Sequence, residues 1–463
     1  MAGTNQTPRP WRAIFLIVAV IFTALVVWKI IDHRRSPFAA SDQPPAAALS
    51  LSSERAEALR YLAEAKGSGE FASEEFDHGR MAEVQADAGD FAGAKVTIDR
   101  ITDDFRRAIT LAYFAAAQAI AGDQAGANQS FDLAKTAADA VTPDWSKSLA
   151  LSAIADLRAR RAGHWAEAKA MVSAITDEEI RNGTLANLAA DHAADQAKAG
   201  DIAGASAAAE TITVADSKAL VLSAIAVAQA KAGDQARAKQ TLEQARIAAD
   251  AAEGIGKASA LQDIAGAQAK LDDQAGAKQT LDQAEAAAHA SLDGPEKTSA
   301  LQSIAAAYAK AGDRDRARQL FDQAKAAANA VPADRRAWSL SEIAVAQTKA
   351  GDEGGARQTF ELAKATAEAD MEGSGKAFSE IAEAQARAGD IVGAKATVTA
   401  IKDDSSKASA LAAIAAAQAR LEGFPAAERW VKTHSEPRTR ALCYVALAEA
   451  RLNPNGSKNV DDD

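Results

Sequence analysis

The feature that most constrains the fold of this chain is a short turn, usually Gly-Asp, that recurs ten times at intervals of 33 to 41 residues. The turn residues are Gly89, Gly122, Gly163, Gly200, Gly233, Asp272, Gly312, Gly351, Gly389 and Glu422. Glycine readily adopts the left-handed conformation that ends a helix, and the aspartate that follows in eight of the ten turns can cap the next helix. Intervals of this length are typical of two-helix repeats. The sequence therefore predicts a series of helix-turn-helix units.

Composition favours the same all-α fold. Alanine makes up about a quarter of the 463 residues, whereas aromatic residues make up only 5%. Alanine, leucine, glutamate, lysine and glutamine favour helices, and the β-branched and aromatic residues that favour strands are sparse and scattered. We therefore expect a wholly helical chain whose thin cores suit closely packed short helices.

Two columns of apolar residues mark the buried face of the second helix in each unit. Five residues past the turn, every unit has alanine: Ala94, Ala127, Ala168, Ala205, Ala238, Ala277, Ala317, Ala356, Ala394 and Ala427. Four residues later, nine units have a larger apolar residue: Ile98, Phe131, Val172, Leu242, Leu281, Phe321, Phe360, Val398 and Val431. The two columns lie one helical turn apart on the same face. The alanine column is expected where two helices nearly touch.

The spacing within a unit resembles the tetratricopeptide repeat. The seventh unit reads Leu301-x2-Ile304-Ala305-x2-Tyr308 and is followed by Ala317-x3-Phe321, which matches the pattern of that family. The resemblance covers about residues 70 to 450 and implies a right-handed helix-turn-helix solenoid of about ten TPR-like units. The chain departs from the family where glutamine replaces the tyrosine, at Gln118, Gln196, Gln229, Gln268, Gln347, Gln385 and Gln418. A looser two-helix solenoid is the alternative.

The rest of the chain divides into segments around this array. Residues 13–31 are almost entirely apolar and are expected to form a transmembrane helix, with a cleavable signal peptide as the alternative. Residues 1–12 form a short tail, 32–50 a Pro/Ala-rich tether, 51–70 an N-terminal capping helix, 71–452 the solenoid and 453–463 a disordered acidic tail. Residues 436–451 repeat the first-helix pattern without a second helix, so they are expected to cap the other end.

Charge bears on partners and on location. The net charge is −11, but residues 1–35 carry +4, which leaves −15 on the remainder and disfavours nucleic acid as a partner. A short tail before the anchor and a long domain after it favour translocation of that domain. Alanine-rich composition is associated with bacteria. We therefore expect a single-pass protein of a bacterial inner membrane with the solenoid in the periplasm; the cytoplasmic side is the alternative.

No pattern in the sequence indicates catalysis. Gly254-Ile255-Gly256-Lys257 is similar to part of a phosphate-binding loop, but it lacks the earlier glycine and does not follow a strand. The six histidines are scattered, with no pair at helical spacing that would suit a metal ion. Cys443, the single cysteine, lies in an apolar helical stretch and is expected to be a buried small hydrophobe. We expect no enzymatic activity, no cofactor and no metal site.

The candidate binding surface is a column of cations two residues before the turn. Eight consecutive units supply it, with Arg161, Lys198, Lys231, Lys270, Lys310, Lys349, Arg387 and Arg420. In tetratricopeptide folds the end of the first helix faces the concave groove, so the resemblance implies contact with acidic stretches of a partner. The simpler explanation is that a cation stabilises the end of a helix dipole. The sequence thus predicts a membrane-anchored scaffold that binds a protein or an extended peptide; the alternative is a structural solenoid that self-assembles through its open ends.

Overall fold

The computed structural model describes residues 45–68, 75–369 and 374–454, and every regular element within these ranges is helical. Helix α1 spans Pro45–Gly67. The first helices of the units are α2 (Glu75–Asp87), α4 (Asp104–Ile120), α6 (Asp144–Asp156), α8 (Glu178–Lys198), α10 (Ala215–Lys231), α12 (Gly254–Lys270), α14 (Gly294–Lys310), α16 (Ala333–Lys349), α18 (Ser374–Arg387), α20 (Asp404–Leu421) and α22 (Pro437–Leu452). The second helices are α3 (Phe91–Ile98), α5 (Gln124–Ala140), α7 (Trp165–Val172), α9 (Ile202–Thr211), α11 (Gln235–Asp250), α13 (Gln274–Ser291), α15 (Arg314–Ala328), α17 (Glu353–Ala369), α19 (Ile391–Val398) and α21 (Phe424–Val431).

The predicted turns are present, with one correction. Eight turn glycines have positive φ, and Asp272 takes the same left-handed conformation with φ of 61°. In the tenth unit the left-handed residue is Gly423, with φ of 92°, and not Glu422, whose φ is −107°. A side chain at positive φ is strained, so the glycine one position later takes over the turn.

The two apolar columns form the core as predicted. All ten alanines are at most 3% exposed. Of the larger residues that follow them, only Leu242 is not fully buried. Because alanine has no side chain beyond Cβ, the first and second helices of a unit approach closely at this point.

A hydrogen-bonded triad ties the two helices of a unit together across the turn. In the eighth unit Gln347 donates from its amide to Asp352 at 3.1 Å, and Thr359 donates to the amide oxygen of Gln347 at 2.7 Å. Asp352 also accepts from the backbone N–H of Gly355 at 3.2 Å, which caps the second helix. The same triad recurs as Gln85, Asp90 and Thr97, as Gln118, Asp123 and Ser130, and as Gln385, Asp390 and Thr397. The glutamine that replaces the family tyrosine is therefore a structural link between helices.

The triad explains a further glycine in the sequence. A Cβ at Gly355 would overlap the Asp352 carboxylate and the Gln347 amide, and Gly93, Gly126 and Gly393 face the same restriction. Where the fifth unit has Arg237 at this position, Asp234 still accepts from its backbone N–H but Gln229 reaches only Thr241. The four bonds between glutamine and aspartate all occur in units with this glycine, although the units of Gly204 and Gly276 have the glycine without the bond.

The array closes on itself through α1. Helix α1 packs along α22 in the position of a second helix, and α22 also contacts α2, the first helix of the first unit. Ala58, Tyr61, Leu62 and Ala65 form the buried stripe of α1 at the usual helical spacing. The Tyr61 ring lies 6.2 Å from that of Tyr444 on α22. The two segments expected to cap opposite ends therefore cover each other and form an eleventh unit.

Ion pairs also hold α1 in this position. Arg60 binds Glu428 of α21 with distances of 3.2 and 3.3 Å, and Glu57 lies 2.7 Å from Arg451 of α22. Lys66, near the other end of α1, lies 3.6 Å from Asp90, the cap of α3. Helix α1 thus bridges the last second helix and the first one, so the eleven units form a ring within the described residues.

Successive first helices line the inside of this ring. Every first helix packs on the next one, whereas second helices of neighbouring units meet mainly through long side chains. Lys278 of α13 reaches Asp313 at 3.0 Å, and Glu285 of α13 reaches Arg316 at 2.5 Å. Helices that crowd together lie on the concave side of a curved two-layer array, so the second helices form the outer layer.

Two expectations fall partly or wholly outside the described residues. The predicted transmembrane helix at 13–31 lies outside them, as does most of the tail at 453–463. Helix α1 begins at Pro45, inside the segment expected to be a tether, because proline suits the first turn of a helix and Ala46 to Ala48 extend it. None of the helices described is long and apolar enough to cross a bilayer.

Neighbouring glycines in α17 provide a test of the triad. We expect Gly355→Ala to destabilise the protein by about 1–3 kcal/mol, because the new Cβ displaces Asp352 and Gln347. Gly354 has no atom within 4 Å of a Cβ at that position, so Gly354→Ala is expected to be neutral or to stabilise by up to about 1 kcal/mol. Urea unfolding of both variants measures the difference, and equal effects would contradict the packing described.

Closure of the ring predicts an effect of α1 on the last helix. Tyr61→Ala should raise hydrogen exchange in residues 441–450 about 100-fold or more, because removal of a buried aromatic ring costs about 3–5 kcal/mol. Leu59→Ala is the control, since Leu59 is 39% exposed on the same helix. Unchanged protection of α22 in the Tyr61 variant would show that α1 does not occupy this position.

Candidate partner-binding surface

The contacts of two arginines place the predicted cation column on the inner wall. Arg161 pairs with Asp87 two units away, across the intervening α4. Arg387 pairs with Glu342 of the preceding first helix. A side chain can reach past a neighbouring unit only on the concave side of a curved array. The equivalent position in other units therefore also faces the inside of the ring.

Ion pairs and tight packing close part of this inner wall, from α20 through α22 and α2 to α6. Arg80 binds Glu449 of α22 with Nη2 and Oε2 2.9 Å apart. Arg160 pairs with Asp191 of α8. Residues 110–117 of α4 and 441–450 of α22 are all buried, although each of these helices lies in the inner layer. We call this region the closed wall, because its charges are satisfied by residues of the chain itself.

Arg420 borders the closed wall. Its guanidinium lies near Arg80 and Glu449; burial lowers its pKa, while Glu449 opposes that shift. Its side chain is nevertheless exposed, and it forms no ion pair within the described residues. Arg420 is therefore solvated, unlike Arg161 and Arg387.

A π-helical turn in the third unit was not predicted. Residues Leu157–Arg161 form this turn at the end of α6, where the longest repeat interval occurs. Arg158 is 9% exposed and donates to Asn128 at 3.2 Å, with its guanidinium 4.9 Å from the centre of the Phe131 ring. The widened turn accommodates a large side chain beside the α5 helix. The interval of 41 residues gave little signal for it, because another interval is 40 residues long.

The remaining members of the column lie on an open part of the inner wall. Lys198, Lys231, Lys270, Lys310 and Lys349 end the successive helices α8, α10, α12, α14 and α16, and all five are exposed. We call these five residues the lysine row. Within the described residues, Lys198, Lys231, Lys270 and Lys349 make no ion pair. The structure thus divides the predicted column into two paired arginines, Arg161 and Arg387, and a set of exposed cations, of which Lys310 also interacts within the chain.

Small and acidic side chains accompany the lysine row. Residues seven positions before a lysine lie on the same helix face, and these are Asp191, Ala224, Asp263, Ser303 and Glu342. Gly266, four residues before Lys270, is exposed. The side chain of Leu220 on α10 is 37% exposed. This stretch, from α8 to α16, is the open wall, and its surface is shallow enough for a polypeptide backbone to approach.

Other clefts and side-chain clusters of the described residues are weaker candidates for a functional site. The described residues contain no group of three histidine, cysteine, aspartate or glutamate side chains placed to hold a metal ion. An open cleft of about 390 Å³ lies between α13 and α15 and is lined by His289, Asp293, Lys297 and Gln323 among others. His289 is already bonded to Gln323 at 2.9 Å. Cys443 is buried, as predicted, and burial raises the pKa of its thiol to about 12.

The division of the column predicts different effects of equivalent substitutions. Arg161→Gln should destabilise the protein by about 1–3 kcal/mol, because it leaves the largely buried Asp87 carboxylate without its cation. Lys231→Gln should change stability by less than about 0.5 kcal/mol, since Lys231 is exposed. Chemical denaturation of the two variants checks this, and equal losses would mean that the column acts only through helix dipoles.

Comparisons with known proteins place the chain in no established family. No family model matches it, and no curated protein does. Similar solved structures include Ton1535 from Thermococcus onnurineus NA1, with 18% identity over 63% of this chain and 97% of that one and a TM-score of 0.24. The human IFIT1 dimer with PPP-AAAA shows 13% identity over 84% and 94%, with a TM-score of 0.26. The maize pentatricopeptide repeat protein PPR10 shows 15% over 83% and 62%, also with a TM-score of 0.26. At these TM-scores the likenesses carry no argument, and the architecture rests on the helix packing described above.

Proposed function

We propose that this protein is a membrane-anchored, non-enzymatic scaffold that binds a partner protein or an extended peptide on its open wall. The observation that carries the proposal is the lysine row, an exposed line of cations in a chain whose net charge is −11. Arg161 and Arg387 of the same column find acidic partners within the chain. Lys198, Lys231, Lys270 and Lys349 form no ion pair within the described residues and are available for an external anion.

The composition of the open wall supports a protein partner. Its small residues, such as Ala224 and Gly266, allow close approach of a backbone, and Leu220 and Val227 of α10 supply apolar contact area. Nucleic acid is a poorer fit, because residues 36–463 carry a net charge of −15 that repels phosphates at long range.

The self-assembly alternative depends on free solenoid ends. Those ends are the outer faces of α1 and α22 in a linear array, and here the two helices pack on each other. End-to-end stacking would first require α1 to leave α22 and expose Tyr61 and Tyr444. The scaffold is therefore the proposal that the geometry favours.

Anchoring is proposed from the apolar run at 13–31, followed closely by α1. In this arrangement the ring sits near the surface of a bacterial inner membrane, on the periplasmic side. Membrane sedimentation of the full chain and of residues 36–463 tests the anchor. A fragment that still sediments after a high-salt wash would contradict it.

Site-specific photo-crosslinking in cells tests the scaffold. We expect a crosslinker at Ser259 or Ser303, both exposed on the open wall, to capture the same protein partner. Gln283 is the control position, because it is exposed on the outer helix α13 of a neighbouring unit. Capture should fall when Lys231 and Lys270 are changed to glutamine, whereas equal capture from Gln283 would show that the open wall is not the binding surface.

A further inference from the structure

We infer that the ring encloses a single polypeptide segment of its partner, no thicker than one helix, and excludes folded domains from its inner wall. The inference rests on the proposed function and specifies which part of a partner the open wall can receive. Closure of the inner layer and the width of the opening left by eleven first helices both support it.

The inner layer is continuous where the first and last units meet. Helix α22 packs on α2, and Arg80 of α2 binds Glu449 of α22 at 2.9 Å. Helix α1 covers α22 from outside through Tyr61, whose ring lies 6.2 Å from that of Tyr444. A partner therefore reaches the inner wall through the opening of the ring, or only after the first and last units have separated.

The number of units sets the width of this opening. Packed helices have axes about 8–10 Å apart, so eleven first helices form a circle about 28–35 Å in diameter. The helices and their side chains occupy about 10–12 Å of that diameter, which leaves an opening about 16–25 Å across. Arg161 and Asp87, from the third and first units, are in contact beside α4, so the inner wall curves most tightly there.

Only a thin partner fits an opening of this width. A folded domain of about 100 residues has a radius of gyration of about 13 Å and is about 30 Å across. A single α-helix is about 10–12 Å across, and an extended chain is thinner. One segment of polypeptide therefore reaches the inner wall, whereas a folded domain stops at the edge of the ring.

The charges that remain available on the open wall favour an acidic segment. Its acidic side chains Asp191, Asp263 and Glu342 already interact within the chain. Four lysines of the row form no ion pair within the described residues: Lys198, Lys231, Lys270 and Lys349. Leu220, which is 37% exposed, offers apolar contact on the same wall. The enclosed segment thus carries acidic residues together with apolar ones.

Maleimide reagents of three sizes test the enclosure on the full-length protein in detergent solution. They are N-ethylmaleimide, an unfolded acidic peptide of about 20 residues with a terminal maleimide, and a folded domain of about 100 residues with the same group. Ser303→Cys places a thiol in the middle of α14, about 10–13 Å from either end of that helix. Gln283→Cys is the control on the outer helix α13. The thiol of Cys443 is buried and does not compete.

The expected result is a dependence on the size of the reagent at the inner position alone. N-ethylmaleimide and the peptide should label Ser303→Cys and Gln283→Cys at similar rates. The folded domain should label Ser303→Cys at least about tenfold more slowly than Gln283→Cys, because it cannot enter the opening. A peptide that fails to label Ser303→Cys while N-ethylmaleimide succeeds would overturn the inference, since the wall would then admit no segment.

Opening the ring shows whether closure causes the exclusion. In the Ser303→Cys protein, Tyr61→Ala should speed labelling by the folded domain about tenfold or more, because it removes a buried ring between α1 and α22. Leu59→Ala is the control and should leave the rate unchanged. Hydrogen exchange in the same samples measures the release of α1 and the integrity of the other helices. Exclusion that persists after α1 is released would overturn the inference.

Failure of the inference differs from failure of the proposed function. Equal labelling of Ser303→Cys and Gln283→Cys by the folded domain would overturn the inference, while specific crosslinks from Ser303 in cells would retain the scaffold. Exclusion of the folded domain without any crosslink from Ser303 would overturn the proposed function, and the enclosed partner with it.

Discussion

The glutamine near the end of the first helix, present in eight of the ten units, forms the interaction on which the repeat depends. It joins the end of the first helix to the cap and the second turn of the next helix, which fixes the angle between the two. Three other positions follow from it: aspartate after the turn, glycine three residues later, and threonine or serine four residues beyond that glycine. Where one of these residues is missing, fewer hydrogen bonds join the two helices of the unit. In the fourth unit Ala208 replaces the hydroxyl, and the amide oxygen of Gln196 is buried without a partner.

In the seventh unit a different hydrogen bond takes the place of the glutamine bonds. Tyr308 replaces the glutamine, and its hydroxyl donates to Asp282 of the preceding second helix instead of to its own turn. Burial and the bond to Asp282 both raise the pKa of Tyr308. The unit that most resembles a tetratricopeptide repeat in sequence is thus the one whose link runs between units.

Local features of this fold were predictable and long-range ones were not. The turns, the caps and the alanine column follow from spacing, because each depends on residues within about ten positions. The turn of the tenth unit was predicted at Glu422 and lies one residue later, because Gly423 adopts the left-handed conformation without strain. Ring closure pairs α1 with a helix about 370 residues later, and the apolar stripe of α1 is equally compatible with an end cap. In the binding column, Arg161 and Arg387 pair with carboxylates, which suits the planar guanidinium. Residue type alone does not predict the split, because Arg420 is exposed and Lys310 interacts within the chain.

Closure by α1 has a consequence for the order in which the protein is made. Helix α1 is synthesised before all the others described, yet its packing partner α22 emerges about 370 residues later. At a synthesis rate of about 5–20 residues per second, Tyr61 and Leu62 remain without their partner α22 for roughly 20 to 70 s. Other units can fold as soon as their two helices leave the ribosome, whereas the eleventh forms last from the first and last helices together. The ring is therefore completed only once α22 has been synthesised, and chaperones have that interval in which to act on the exposed first helix.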